Sequence, residues 1–463
     1  MNATTHTIAA ISTPPGKGGV AVIRASGDGA LEIAERVFSP ASGKRICDYP
    51  PRTQIYGYMK DGDEAIDDVL LTYFPVGGSY TGEETVEISC HGGVLVSHAV
   101  LGLLLSAGAV HAEAGEFTRR AFVNGRLSLT EAEAIGQLLE ARSEHQMRLT
   151  STTSRELLTE KVSALRGALV SLMSSIYARI DYPDEDLGDF SDTELLERLR
   201  AILSEMDALI ATYPTGKAIS EGISTVICGK PNAGKSSLYN LLLGDEKAIV
   251  TEVEGTTRDV LESVAQMGKV MLKISDTAGI RSGDNIDTVE RIGIEKSRKL
   301  IANCELIFAI FDVSRPFDEK DAELIEEIKP SSAIKIAVLN KTDSRQGDLP
   351  VPEGVFEEIL SVSVKESPEQ TLSALSDTVN RLFTDERLTV GQTPMLYSTR
   401  QLSAMKRARE LVSVAVEALG AGFAQDAVSG DVERAIDAIS VLDGRAVHED
   451  VVADIFSKFC VGK

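Results

Sequence analysis

The sequence predicts a multidomain chain that joins α/β and all-α parts. A mixed α+β segment comes first, a helical domain is assembled from two separate stretches, and a P-loop α/β domain is inserted between them. Three observations carry this. Strand-like apolar runs with glycine-rich turns fill residues 1–120. Apolar stripes at helical spacing lie on both sides of the middle of the chain. Between them, three apolar runs, the first of them β-branched, each lead into a short polar motif. At 463 residues the chain is long enough for several domains with real cores.

Residues 1–120 hold the strand-like runs Ile8–Ile11, Val20–Ile23, Val69–Phe74 and Thr85–Ile88. Val94–Val110 is the most apolar stretch of the chain. It is slightly short for a membrane span, carries His98 and is interrupted by Gly102 and Gly108, so a buried helix is expected. Residues 121–217 turn helical, with Val162, Leu165, Leu169, Leu172 and Ile176 forming a stripe at alternating steps of three and four. Asp181–Asp186, containing Pro183, breaks that helix, and Ser191-Asp192-Thr193-Glu194 reads as a capping box for the next. Leu195, Leu199, Ile202, Met206 and Leu209 then repeat the stripe. The α/β domain is expected over residues 218–380. From 381 to 463 helices resume, with stripes Met405, Leu411, Val412, Val416, then Val432, Ile436, Ile439, then Val452, Ile455, Phe456, Phe459. No single segment can bury such a stripe alone, so one bundle made from both flanks is the economical solution.

The polar motifs of residues 229–343 specify the chemistry. Gly229-Lys230-Pro231-Asn232-Ala233-Gly234-Lys235-Ser236 follows the run Ile223–Ile227 and precedes the helical run Ser237–Leu243, which is the strand–loop–helix setting of a phosphate-binding loop. Glycines let backbone N–H groups approach the phosphates. Lys235 supplies a point charge and the Ser236 hydroxyl suits Mg²⁺. Asp276-Thr277-Ala278-Gly279 follows Val270–Ile274. Asp276 would reach the same Mg²⁺ through water, and Gly279 could give its N–H to a γ-phosphate and swing away after hydrolysis. Asn340-Lys341-Thr342-Asp343 follows Ile334–Leu339. A carboxylate at 343 accepts from guanine's ring N–H and exocyclic amine, and adenine offers the wrong pattern. Ser363-Val364-Lys365, after Val355–Leu360, sits where a further base-contacting loop belongs. Thr256 and Thr257 lie in a loop between the first two motifs. The motifs in this order define a GTP-binding domain. Ile280 follows Gly279 where Ras-like switches carry a water-orienting glutamine, so another group must position the water. Glu290 is a candidate, and equally a solvated carboxylate at a helix start.

Composition sets the outer bounds. The five cysteines are scattered without a C-x-x-C pair, which argues against a disulfide framework or a cysteine zinc site and fits a cytoplasmic location. Residues 1–20 lack a secretory pattern. The formal charge of −23 is opposite to that of most nonspecific polyanion binders, so any RNA contact requires a local basic patch or a basic partner. Arg119, Arg120 and Arg126 form one candidate patch, and Lys406, Arg407 and Arg409 another. Each also reads as an ordinary solvated face.

Further segments carry a family resemblance. Thr13-Pro14-Pro15-Gly16-Lys17-Gly18-Gly19, Val22-Ile23-Arg24, Ser79-Tyr80-Thr81-Gly82-Glu83 with Glu87, His91-Gly92-Gly93, Gly115-Glu116-Phe117-Thr118-Arg119-Arg120-Ala121-Phe122 and the terminus Phe456-Ser457-Lys458-Phe459-Cys460-Val461-Gly462-Lys463 resemble the tRNA-modifying GTPases of the MnmE (TrmE) family over essentially the whole chain. Arg126 stands where a lysine is common, and Leu442-Asp443-Gly444-Arg445 replaces a more usual Thr-Gly turn.

The resemblance implies a homodimer formed through N-terminal domains with a tetrahydrofolate-binding-like fold. It implies 5-formyltetrahydrofolate, or a related tetrahydrofolate, at Arg24, Glu87, Arg126 and Lys463. A pterin edge suits a carboxylate, and a glutamyl tail suits cations. With an FAD-dependent partner, MnmG (GidA), in a heterotetramer or larger complex, the family adds an aminomethyl or carboxymethylaminomethyl group to carbon 5 of the wobble uridine of certain tRNAs. Cys460 becomes a candidate catalytic thiol, and equally reads as a buried packing cysteine. In the GTPase, the resemblance assigns nucleotide contacts to Asn232 through Ser237 and to the loop Thr251-Glu252-Val253-Glu254-Gly255-Thr256-Thr257. Mg²⁺ would be held by Ser236 and Thr257, and K⁺ by Asn232 with Thr251, Val253 and Thr256 when two GTPase domains dimerise. Glu290 matches the catalytic glutamate that positions water. A ribosome-assembly or signalling GTPase would share residues 218–380 but leaves 1–120 and the terminal motif unexplained. A folate-dependent one-carbon transferase with a regulatory GTPase leaves the RNA step unexplained.

Overall fold

The computed structural model describes residues 6–181, 191–244, 262–275, 298–346, 352, 354–444, 449–457 and 459–462. The chain combines α/β and all-α parts and divides into two compact units. The first comprises residues 1–139, 162–195 and 410–463, and the second 140–161 and 196–409.

The first unit is built on a seven-stranded sheet of β1 (Ile8–Ile11), β2 (Val20–Ser26), β3 (Phe38–Pro40), β4 (Gln54–Asp61), β5 (Glu64–Phe74), β6 (Thr85–His91) and β7 (Val110–His111). Its order is β3-β4-β5-β6-β2-β1-β7, antiparallel throughout except that β7 runs parallel to β1. Alternation along β2 and β6 turns Ile23 and Ile88 into a core with Ile55, Met59, Leu71 and Leu104. Helices Ala30–Val37 and Val94–Ser106 supply the covering residues, including Ala30, Ile33, Val100 and Leu101. The apolar run expected to be helical to Val110 leaves the helix at Ser106. Gly108 has φ +119°, and the residues after it join the sheet as β7. Among the described residues, no helix is long and apolar enough to cross a membrane.

The two helical flanks meet within this unit. The Thr130 hydroxyl donates to the Leu442 carbonyl at 2.6 Å, and Arg166 Nε donates to the Ser440 hydroxyl at 2.9 Å. The stripe residues Val162, Leu165, Leu169, Leu172 and Ile176, all within helix Thr152–Asp181, are buried. So are Val432 and Ile439 of helix Gln425–Asp443. The C-terminal segment turns back onto the N-terminal region. Phe456 packs with Leu129, Ala132 and Val452 and stacks near Phe122 and Phe459, at ring centroids of 6.2 and 5.6 Å. Val461 forms an antiparallel bridge with Ala114, and the Ser12 hydroxyl donates to the Gly462 carbonyl at 3.0 Å.

The second unit contains a six-stranded sheet: β8 (Ile223–Gly229), β9 (Glu262–Met267), β10 (Val270–Ser275), β11 (Leu306–Asp312), β12 (Ile334–Asn340) and β13 (Glu358–Ser361). Its order is β13-β12-β11-β8-β10-β9, parallel but for the edge strand β9. Strands β8, β11 and β12 are buried along nearly their whole length, which explains their continuous apolar runs. Helix Lys235–Leu243 follows β8, helix Glu319–Ile328 lies between β11 and β12, and helix Pro368–Phe383 follows β13.

Candidate nucleotide-binding site

The chain leaves β8 for β9 and β10 on one side of it, then places β11, β12 and β13 on the other. The carboxyl end of β8 is therefore the point where strand order reverses, and open α/β sheets bind ligands in the crevice there. The phosphate loop lies at that end. Gly234, at φ +111°, precedes helix Lys235–Leu243, and a Cβ on it would collide with the Asn340 amide. Asn232 takes a left-handed conformation at φ +65°, which asparagine tolerates better than most residues. The Lys235 ammonium donates to the carbonyls of Gly229 and Lys230 at 2.8 and 2.6 Å. The helix start supplies the N–H groups that favour an anion.

Asn340 uses its amide to join the three segments. Its Nδ2 donates to the Ala233 carbonyl at 2.9 Å, and its Oδ1 accepts the Val364 N–H at 3.1 Å. The Ser363 hydroxyl donates to Asp343 Oδ1 at 2.5 Å and the Ser344 hydroxyl to Oδ2 at 2.8 Å. These bonds, with that from Ser363 foremost, hold the Asp343 carboxyl below its ordinary range. It therefore stays an acceptor-only group. Lys341, at φ +67°, pairs with Asp312 Oδ2 at 2.6 Å. Burial pushes the Asp312 carboxyl up, but hydrogen bonds from Lys341 and Ser314 outweigh it and leave the group below its usual value. Asp312 carries no sequence signature of this role, because its partner lies 29 residues away.

The result is one cleft of about 400 Å³, with Asn232, Lys235 and Ser236 at one part of its lining and Asn340, Asp343 and Lys365 at another. Ser237, Lys341, Ser363 and Val364 also line it. The loop Thr251–Thr257, the motif Asp276–Gly279, Glu290 and Lys463 lie outside the described residues.

The other expected site falls on the sheet of the first unit. Arg24 and Glu87 face each other across β2 and β6, and Arg24 Nε and Nη2 reach Glu87 Oε1 at 2.9 and 2.8 Å. The guanidinium lies 5.3 Å from the centre of the Tyr80 ring and 5.5 Å from that of Phe117. Arg126 is exposed and sits beside Gly82. Phe117 is fully buried in a core with Ile8, Ala10 and Ala112, so the Glu87 carboxylate, the Arg24 guanidinium and the partly exposed Tyr80 ring are the groups that fit a flat heterocycle with a donor and acceptor edge. Cys460 is exposed as a free thiol, and its carbonyl accepts the Gly115 N–H at 3.4 Å.

The basic patches look different in three dimensions. Arg120 is buried, with Nη2 2.8 Å from Glu116 and Nη1 3.2 Å from Glu83, so it is unavailable to RNA. Arg409 is paired with Asp207 at 2.8 Å.

This fold and cleft define a P-loop nucleotide-binding domain with an oriented carboxylate, Asp343, in its lining. Comparison with known proteins narrows the class. Residues 7–126 match the model of the GTP-binding protein TrmE N-terminus, and residues 129–460 match that of the MnmE helical domain. The chain is 37% identical to the tRNA modification GTPase MnmE of Clostridioides difficile, over 99% of each chain. It is also 37% identical to that of Lactiplantibacillus plantarum, over 99% of this chain and 98% of that one. Among solved structures, Era from Aquifex aeolicus bound to GDP·AlF4⁻ is 22% identical with a TM-score of 0.25; the match covers 40% of this chain and 65% of that one. The chain belongs to the MnmE (TrmE) family of tRNA-modification GTPases.

Proposed function

We propose that the chain hydrolyses GTP in the cleft of the second unit, as a K⁺-stimulated GTPase, to drive modification of carbon 5 of the wobble uridine in tRNA. The observation that carries this reading is the Asn340 amide, which ties the phosphate loop to the base-reading loop at 2.9 and 3.1 Å. One cleft thereby presents a phosphate end and a guanine end together. In the reaction, Lys235 exchanges the Gly229 and Lys230 carbonyls for phosphate oxygens and offsets the charge gathering there. Water attacks the γ-phosphorus and the bond to the GDP oxygen breaks. Ser236 and Thr257 would hold Mg²⁺, Asn232 with Thr251, Val253 and Thr256 would hold K⁺, and Glu290 would orient the water. Held there, K⁺ would supply the positive charge that an arginine otherwise provides, beside that of Mg²⁺.

On the same reading the protein is a cytoplasmic homodimer that acts with FAD-dependent MnmG on tRNA. A tetrahydrofolate one-carbon donor would be held by Arg24, Glu87, Arg126 and Lys463. The Arg24–Glu87 pair beside Tyr80 supports that ligand.

The test is turnover of GTP in matched KCl and NaCl at equal ionic strength. K⁺ should accelerate wild type by tenfold or more, on the order expected when one charge-stabilising group is supplied, and Asn232→Ala should lose the response. Equal rates in the two salts would overturn the K⁺ assignment. Mass spectrometry of wobble uridine in tRNA from a deletion strain tests the RNA step separately, since a strain retaining the modified base excludes it. Calorimetry with 5-formyltetrahydrofolate should show weakened binding for Arg24→Ala and Glu87→Ala.

A further inference from the structure

The phosphate loop contains a second lysine, Lys230, which does not line the nucleotide cleft. Its side chain is only 6% exposed, yet it carries a full charge, and burying an ammonium is costly unless it is paired. Here it is paired twice. Its Nζ contacts Asp318 Oδ1 and lies 2.5 Å from Asp321 Oδ2, and the Asp321 side chain is itself 7% exposed.

Those two carboxylates already have work at the start of helix Glu319–Ile328. Asp318 is the N-cap and accepts the N–H groups of Lys320 and Asp321, at 2.8 and 3.4 Å. Asp321 returns the favour by accepting the Asp318 N–H at 3.2 Å. The lysine is therefore bolted to a rigid, reciprocally capped turn that follows β11, 88 residues downstream.

The backbone of Lys230 is the other half of the arrangement. Its carbonyl accepts the Lys235 ammonium at 2.6 Å and the Ala233 N–H at 3.3 Å. The same residue thus closes the turn of the phosphate loop and provides the resting place of the lysine that must move to the phosphates.

We infer that Lys230 is a positioning residue for GTP hydrolysis. By clamping the phosphate loop to the cap of helix Glu319–Ile328, it keeps the loop in place while Lys235 moves from loop carbonyl to phosphate. This rests on the GTP reading of the cleft. A loop free to follow Lys235 would keep its carbonyls on the ammonium and blunt the charge offered to the transition state. Ground-state binding, spread over the loop amides and Asp343, would suffer less.

The experiment measures kcat and KM for GTP, with thermal unfolding in parallel, on the full-length protein. Lys230→Met should lower kcat by about tenfold or more and change KM by less than about threefold. Lys230→Arg, which can bridge both carboxylates, should stay within about threefold of wild type. The decisive form is the triple substitution Lys230→Met, Asp318→Asn, Asp321→Asn, which removes every charge of the cluster and relieves any uncompensated buried carboxylate. A merely structural role predicts that this protein regains wild-type kcat together with stability. The positioning role predicts that kcat stays low even where stability recovers. Wild-type kcat in the triple variant, or in a folded Lys230→Met protein, would overturn the inference. An inactive wild type would instead overturn the GTP reading itself.

Discussion

Asp343 is oriented before any base arrives, because Ser363 and Ser344 each donate to one of its two oxygens. A carboxylate so fixed loses little freedom on meeting guanine, and its two acceptors match two donors of that base. Asp343→Asn should therefore weaken GTP binding by on the order of 10²-fold and shift preference toward xanthosine triphosphate, which presents a carbonyl in place of the amine. Ser363→Ala should keep guanine preference and cost about tenfold, because orientation is lost and the acceptor remains. Titration with fluorescent guanine and xanthine nucleotides separates the two outcomes; equal affinity of the Asp343→Asn protein for GTP and wild type would exclude Asp343 as the base reader. The residues around Asn340-Lys341-Thr342-Asp343 are readable from sequence because their spacing is local. Ser363-Val364-Lys365 is not readable alone, and gains meaning only when Val364 is seen to donate to Asn340.

Among the elements, the short helix Tyr213–Ser220 organises one side of the second unit. Thr212 Oγ1 accepts the Leu396 N–H at 3.0 Å, Thr215 Oγ1 accepts the Asp385 N–H at 2.9 Å, and the Ser220 hydroxyl donates to the Tyr397 carbonyl at 3.0 Å. Gly216 lies so close to Leu396 that a Cβ would strike its carbonyl. Gly216→Ala should cost roughly 1–3 kcal/mol through this overpacking, read by urea unfolding of the whole chain, with nucleotide affinity of the folded protein unchanged. Helix Glu144–Leu149 packs on the same element and carries His145, whose Nδ1 is buried without a partner. Burial foremost, then the charges of Arg148 and Lys269, push its pKa below the ordinary 6.5. The folded protein thus resists protonation that the unfolded chain accepts. Its stability should be intact above about pH 6.5 and decline as pH falls below it, levelling off only below the lowered folded value. His145→Gln should flatten that decline in thermal melts between pH 7 and 5. A run such as Tyr213–Ser220, with Pro214 in its first turn and glycine inside, gives no sequence hint that it is a docking surface.

At the scale of the molecule, the nucleotide cleft and the Arg24 site belong to different compact units, and the C-terminal tail belongs with the latter. Separately folded modules can fail separately. Deleting Cys460–Lys463 should abolish tRNA modification and leave GTP affinity within about twofold of wild type. Modification at wild-type levels after the deletion would show that the tail has no part in it.

The sequence by itself determined the class of the nucleotide domain, the buried helical stripes and the residues at both ends of the cleft, because each is written in short spacing: a turn of loop, a helical repeat, a strand followed by a motif. Only the tertiary structure decided which charges are spent. Arg120, a candidate RNA contact by composition, is locked between Glu116 and Glu83, and Lys230, one more basic residue in a loop, is bound to a helix cap 88 residues away. The physical reason is that burying a charge requires a partner, and the partner is chosen by how the chain folds back on itself rather than by its neighbours in sequence.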